Sequence, residues 1–274
     1  MALNVRALPS TMRALTPPVL VAMALSVAGL VIERAIVPHR ALQVSNEVIG
    51  SYLQTLGTIY AVLLAFVVFV VWNQFNTTRA YVEEEANELL DLSRTARGFS
   101  GDLPARVHKH IQRYVDAVLG PEWTAMESDC DPRPFEGAAI LDELWGELHR
   151  VELEGPCEQA MYSEVLGRLN DLSDARAERI AASRMRVPLA LWVLLQFGAV
   201  INVASMYLFT VERFATHCLI TAALAGVISH VLYVIRDLDN CFSGAWRVPR
   251  APFEDVRAYL ARCHCHERLS KELA

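Results

Sequence analysis

Glycine is scarce in this chain, at 13 of 274 residues, and lysine is almost missing, with Lys109 and Lys271 alone. No G-x-S-x-G, H-E-x-x-H, Walker A or G-x-G-x-x-G pattern occurs, and no local context suggests a Ser/His/Asp set. The nucleophile elbow, the zinc-protease helix and the phosphate cradles are therefore without a carrier, and an enzyme is the weakest class. The formal charge of −6 is mild and argues against nucleic acid as a partner. None of the six cysteines forms a C-x-x-C pair, so they make no disulfide framework. The acidic run near residue 85 lacks the D-x-D-x-D-G spacing of a calcium loop. Cys263-His264-Cys265-His266 are consecutive rather than spaced as zinc ligands are, which favours an exposed tail over a metal site. No metal and no cofactor are expected.

What the chain does hold is apolar length. Composition is 53% hydrophobic, concentrated near 14–37, 52–72, 188–210 and 214–235. Each run reaches or approaches the ~20 residues that cross a bilayer as a helix. The first follows Arg6 and Arg13 and enters at Pro17-Pro18, since proline is tolerated in a first helical turn. It ends in Glu33-Arg34 rather than at a small-residue cleavage site, so a retained span is favoured over a signal peptide.

The second span lies in the stretch 51–97, which has no proline and, after Gly57, no glycine until Gly98. A helix over this length continues from lipid into water as an acidic stalk. Within it Ser51, Thr55, Thr58, Val62, Ala65, Phe69, Asn73 and Asn76 recur at three- and four-residue intervals, hence on one helical face. Small and hydroxyl residues of this kind mediate helix packing in lipid, which periodicity alone favours. In an oligomer the same face would line a pore, with a hydrophobic constriction near Val62 to Phe69. In the stalk, Val82, Ala86, Leu89, Ser93 and Ala96 form the packing stripe, and Glu83, Glu84, Glu85, Glu88 and Asp91 read as a solvated face.

Between 98 and 187 the sequence is of ordinary soluble helical character. One helix runs from Asp102 to Leu119 and stops at Gly120-Pro121. Another covers 138–153 with Leu141, Leu144, Trp145 and Leu148 buried, and a third, 157–186, feeds directly into the third span. In the third and fourth spans, Asn202, Ser205 and His230 are the intramembrane polar candidates, with Asn202 a possible partner of His230. His230 lies near a span end and could equally reach interfacial water. A short amphipathic helix follows from Phe253.

The division is thus an N-terminal tail (1–13), spans one and two (14–72), a helical domain (73–187), spans three and four (188–236) and a C-terminal tail (237–274). With four spans, both tails and the helical domain share a side. That side carries Arg6, Arg13, Arg79, Arg176, Arg179, Arg184, Arg186, Arg236, Arg247 and Arg250, against Arg34, Arg40 and Arg213 opposite. The excess of positive charge makes the shared side cytoplasmic. Cys130 and Cys157 would then be reduced thiols.

The residues GTIYAVLLAFVVFVVWNQFNTTRAYVEEEANELLDLSRTARG, IQRYVDAV with EWTAM, RIAASRMRVPLALWVLL and LDNCFSGAWRVPRAPF resemble the bacterial DUF4239, or bestrophin-like, membrane proteins over 45–255. The last segment is similar to that family's Asp-x-Pro-Phe-x-Gly stretch, with Cys241 in the place of the proline. More loosely, the chain is similar to bestrophins, pentameric anion channels with four spans, a cytoplasmic helical domain and a hydrophobic neck on the second span. Their acidic calcium clasp has no match here beyond Asp237 and Asp239. The resemblance implies an all-α integral membrane protein of a bacterial inner membrane. It implies a homo-oligomer, tetramer or pentamer, in a lipid bilayer, conducting ions with an anion preference by analogy. A non-conducting scaffold or signalling partner acting through the helical domain is the alternative.

Overall fold

A computed structural model describes residues 8–36, 46–131, 136–151, 155–209, 211 and 213–272. Among these residues there is no strand. Nine α-helices follow in order: α1 Leu8–Ile36, α2 Asn46–Ala96, α3 Leu103–Ala117, α4 Trp123–Glu127, α5 Gly137–Leu148, α6 Pro156–Ser183, α7 Leu189–Ser205, α8 Phe214–Asp239 and α9 Ala251–Glu272. Among the described residues, four stretches are long and apolar enough to cross a membrane, Thr16–Ile36, Val48–Ala96, Leu189–Leu208 and Phe214–Asp239. The protein is an all-α integral membrane protein.

The chain divides into two compact units, the first formed by Met1–Asn73, Arg186–Asp239 and Gly244–Trp246, the second by Gln74–Met185, Asn240–Ser243 and Arg247–Ala274. Helix α2 contributes to both. At ~1.5 Å per residue its 51 residues extend for about 75 Å.

In the first unit the spans meet through small residues and backbone-directed hydroxyls, the means available where lipid removes any hydrophobic drive. Gly198 of α7 lets the Tyr60 ring of α2 lie against its backbone, and the Tyr60 hydroxyl donates to the Leu195 carbonyl at 2.9 Å. Gly29 of α1 does the same for Tyr207, whose hydroxyl donates to the Ser26 carbonyl at 2.9 Å. Ala222, Ala225 and Gly226 of α8 are buried, with Met23 of α1 against Gly226. At the other end of α8, the Arg34 guanidinium donates to the Val211 carbonyl and lies 4.4 Å from the Phe214 ring centroid.

The second unit has a conventional hydrophobic core. Val82, Ala86, Leu89 and Ala96 of α2 pack with Val107, Ile111 and Val115 of α3, Ile140, Leu144 and Leu148 of α5, and Leu169 and Leu172 of α6. Phe253, Val256 and Leu260 of α9 belong to the same core. Trp123 is fully buried, edge-on to Phe242 at 5.3 Å and to Phe253 at 6.2 Å.

Five expectations from the sequence need correction. Pro17 and Pro18 lie inside α1, which begins at Leu8, rather than marking its entry. Gly120-Pro121 does not stop a helix: α3 passes through a π-helical turn, Val118–Glu122, into α4. A widened turn accommodates a residue without an N–H donor and re-aims the next side chain inward. The third helix of the middle region does not run into the third span. Helix α6 ends at Ser183, and Pro188, with extended backbone (φ −55°, ψ 141°), begins α7 separately. Proline disfavours helical geometry in the residue before it, and the freed Val187 N–H donates to Asp239 Oδ1 at 2.6 Å. The helix expected over 138–153 ends at Leu148, and the tail helix α9 is longer than the short one expected.

Candidate functional site

All eight residues of the face read from the second span, Ser51, Thr55, Thr58, Val62, Ala65, Phe69, Asn73 and Asn76, are exposed. The opposite side of α2 is buried, through Tyr60, Val67, Val71, Thr78, Val82, Glu85 and Leu89. At 100° per residue these two sets lie roughly half a turn apart, so α2 packs within its own chain along one seam and leaves the other side open. The Thr55 and Thr58 hydroxyls donate to the Ser51 and Gln54 carbonyls, which satisfies them within the helix. Val62 and Phe69 are 66% and 67% exposed. Phe66, at 62% exposure, is a large apolar residue on this open side that the three-and-four spacing passed over in favour of Ala65. Its offset from Val62 is only ~40° around the helix.

The intramembrane polar candidates are not brought together. Asn202 is buried, with Nδ2 donating to the Gly198 carbonyl at 2.8 Å, and Ser205 donates to the Ile201 carbonyl at 2.7 Å. His230 is exposed, and no hydrogen bond joins it to Asn202. His217, in contrast, is buried, its Nε2 2.9 Å from the Met206 carbonyl. The side chains of Cys157 and of Cys263, His264, Cys265 and His266 lie outside the described residues, as does Ser45, a possible helix cap. Cys130 is an exposed free thiol.

The solvated-face reading of the stalk fails at Glu85. This residue is fully buried and joins a closed set of charges in the second unit. Arg179 of α6, itself fully buried, donates from Nε and Nη2 to the Glu85 carboxylate and from Nη2 to Glu122 Oε2 at 3.0 Å. Arg176 grips Glu122 with two parallel bonds of 2.7 and 2.8 Å, the fork geometry that arginine shares with carboxylates. The Tyr114 hydroxyl of α3 donates to Glu85 and accepts from Arg176 at 3.3 Å. Two carboxylates face two guanidiniums, so the cluster is neutral as a whole.

Burial opposes ionisation of Glu122, but the hydrogen bonds and charges of Arg176 and Arg179 outweigh it and hold the carboxyl below its ordinary range. Burial, then the Glu85 charge, pushes the Tyr114 hydroxyl far up. Gly137 of α5 makes room, since a Cβ there would collide with the Glu122 carboxylate and the Arg176 guanidinium. Nothing in the stalk sequence separates Glu85 from its neighbours by composition. Its place on the buried stripe, three residues after Val82 and four before Leu89, was the available signal.

The segment after α8 is held by the Asp237 carboxylate. Asp237 accepts from the backbone N–H groups of Ala245 and Trp246 at 3.2 and 2.9 Å, and Gly244 supplies the left-handed backbone (φ +80°) that the turn needs. The Trp246 ring stands edge-on to Trp72 of α2 at 5.8 Å. Cys241 and Phe242 are buried in the core of the second unit, where the Cys241 carbonyl accepts from Val248 N–H at 2.8 Å. Asp237 and Asp239 are therefore occupied with backbone amides.

Comparison with known proteins yields one family. A model described as "Bestrophin-like domain" matches residues 20–253. None of the curated proteins matches the chain. Among solved structures, a bacterial bestrophin homologue from Klebsiella pneumoniae carrying an isoleucine-to-threonine mutation superposes with a TM-score of 0.68 at 16% identity. That match covers 89% of this chain and 99% of the other. A tryptophan-to-alanine mutant of the Klebsiella pneumoniae homologue gives 0.68 at 16% identity, over 92% and 97% of the two chains. A membrane protein with a proline-to-alanine mutation gives 0.67 at 16% identity, over 89% and 97%.

Proposed function

As the chain belongs to the bestrophin-like family, we propose that it is an oligomeric ion channel whose second span lines the pore. The observation that carries the reading is the exposure of the whole face from Ser51 to Asn76, opposite a seam that satisfies α2 within its own chain. Such a face needs lipid, water or other copies against it. Copies arranged around an axis, four or five in number, would turn it inward. Thr55 and Thr58 then meet one vestibule, Val62, Phe66 and Phe69 form a constriction that gates by dewetting, and Asn73 and Asn76 meet the other mouth.

The arginine distribution supports a bacterial inner-membrane protein with both tails and the helical domain in the cytoplasm. Arg176 and Arg179 are neutralised in the buried cluster and drop out of the count, which leaves eight against three. The permeant ion is an anion by analogy with the animal channels, and no residue on the open face of α2 from Ser51 to Asn76 is charged. Reconstitution into planar bilayers tests the reading. Ionic current that changes with substitution at Phe69 is the expected result; silence from wild type and variants in every salt would overturn it.

A further inference from the structure

The first unit contains a groove of 430 Å³ between α1, α7 and α8. Most of its lining is apolar, as suits a surface in hydrocarbon. Of its polar residues, Ser26 of α1 and Tyr207 spend their hydroxyls on the Met23 and Ser26 carbonyls, and the others are ordered mainly along α8. Ser229, Tyr233 and Arg236 of α8 are spaced by four and three residues and so share one face, with Gln196 of α7 across the groove. Arg236 stands in the last turn of α8 and is exposed; among the described residues its guanidinium has no hydrogen-bond or ion-pair partner. Trp192, in the first turns of α7, lines the same end, a residue type that settles at the membrane–water interface. From Arg236 the groove follows α8 inward to Ala225, a depth of ~16 Å, about half of the ~30 Å hydrocarbon core.

We propose that this groove holds one phospholipid with an anionic headgroup. The phosphate pairs with Arg236 at the interface, the glycerol esters accept from the Tyr233 and Ser229 hydroxyls one and two turns deeper, and an acyl chain fills the apolar remainder. Three features select this occupant. An unpaired guanidinium at a span end, where basic residues between helices recognise headgroups, calls for an anion. The polar side chains grade from charged to hydroxyl with depth, in the order that a lipid presents phosphate and then ester. The depth is that of one leaflet, whereas a helix of a second copy would traverse both.

The test uses the full-length protein in vesicles of phosphatidylcholine to which brominated phosphatidylglycerol or brominated phosphatidylcholine is added, with tryptophan quenching as readout. The contribution of Trp192 is the difference between wild type and Trp192→Phe. Quenching of that contribution is expected to be about fivefold more effective with the anionic lipid. Arg236→Gln should bring the two lipids to parity, and Ala204→Phe, which places a ring in the groove from an exposed alanine, should remove the quenching by both. Equal quenching of wild type by the two lipids overturns the proposal, and this comparison needs no variant to fold at Arg236. A preference that excess inorganic phosphate erases would assign the site to free phosphate and also overturn it. So would a Trp192 that neither lipid reaches until the oligomer is dissociated, since a second copy would then fill the groove.

Discussion

Glu85 and Arg179, separated by 94 positions in the chain, form an ion pair with both side chains wholly removed from solvent. A buried pair of this kind contributes little net stability compared with apolar residues of the same volume. Breaking it is another matter, because the survivor is left charged and unpaired. Glu85→Ala should therefore cost about 3–5 kcal/mol, read as a large fall in the thermal midpoint of the detergent-solubilised protein. The double variant Glu85→Met with Arg179→Met should fall by much less than the sum of the single changes, since Glu122 and Arg176 remain balanced.

Acid should weaken the second unit through Glu122. Its native carboxyl is held below the ordinary range, so the stabilisation is complete above the unfolded value of about 4.3 and disappears as pH falls through the lower native value. Thermal midpoints recorded from neutrality down to about pH 3 should decline more steeply at the acid end for wild type than for Glu122→Gln. Parallel curves would show that other carboxylates govern the decline.

If α2 lines a pore, Phe69→Ala and Phe66→Ala should each raise unitary conductance severalfold in reconstituted bilayers, because each widens the apolar section and eases its wetting. Val67→Ala, on the buried seam, should alter stability and leave conductance near wild type. The same current from Phe69→Ala as from wild type would place the constriction elsewhere.

Gly244→Ala should destabilise by at least about 1–2 kcal/mol, the cost of a left-handed conformation in a residue bearing Cβ. The added methyl would also press on the Asp237 carboxylate that receives the Ala245 and Trp246 amides. Trp246 fluorescence, isolated by comparison with Trp246→Phe, should report the displaced turn. An unchanged spectrum and midpoint would show that the turn adapts.

The spans and the grouping of Ser51 to Asn76 on one face of α2 were legible because hydropathy and a helical period of 3.6 are both local properties of the chain; that this face is open rather than packed within the chain was not. The stalk stripe was legible for the same reason: Val82, Ala86, Leu89, Ser93 and Ala96 are all buried as spaced. The charge cluster was not. Glu85 sits among five acidic residues of which the others reach solvent or surface partners such as Arg79 and Arg168, and its own partners come from α3 and α6. Only the folded backbone brings Glu122 inward, and it does so by the π-turn at Gly120-Pro121, where proline rules predict an end. The break between α6 and α7 was misjudged for the opposite reason. Arg184, Met185 and Arg186 favour helix on their own, and the bond from Val187 to Asp239 that rewards leaving it is 52 residues distant in sequence.

The neutrality of the buried cluster constrains how this sequence can drift. No single replacement of Glu85, Glu122, Arg176 or Arg179 by an uncharged residue leaves the interior balanced, and Gly137 admits no larger side chain beside them. Lineages that abandon one carboxylate must pass through an unstable intermediate or lose a guanidinium at the same time. Glu85 with Arg179, and Glu122 with Arg176, should therefore be found changing together or not at all, and a larger residue at position 137 should appear only where Glu122 has gone.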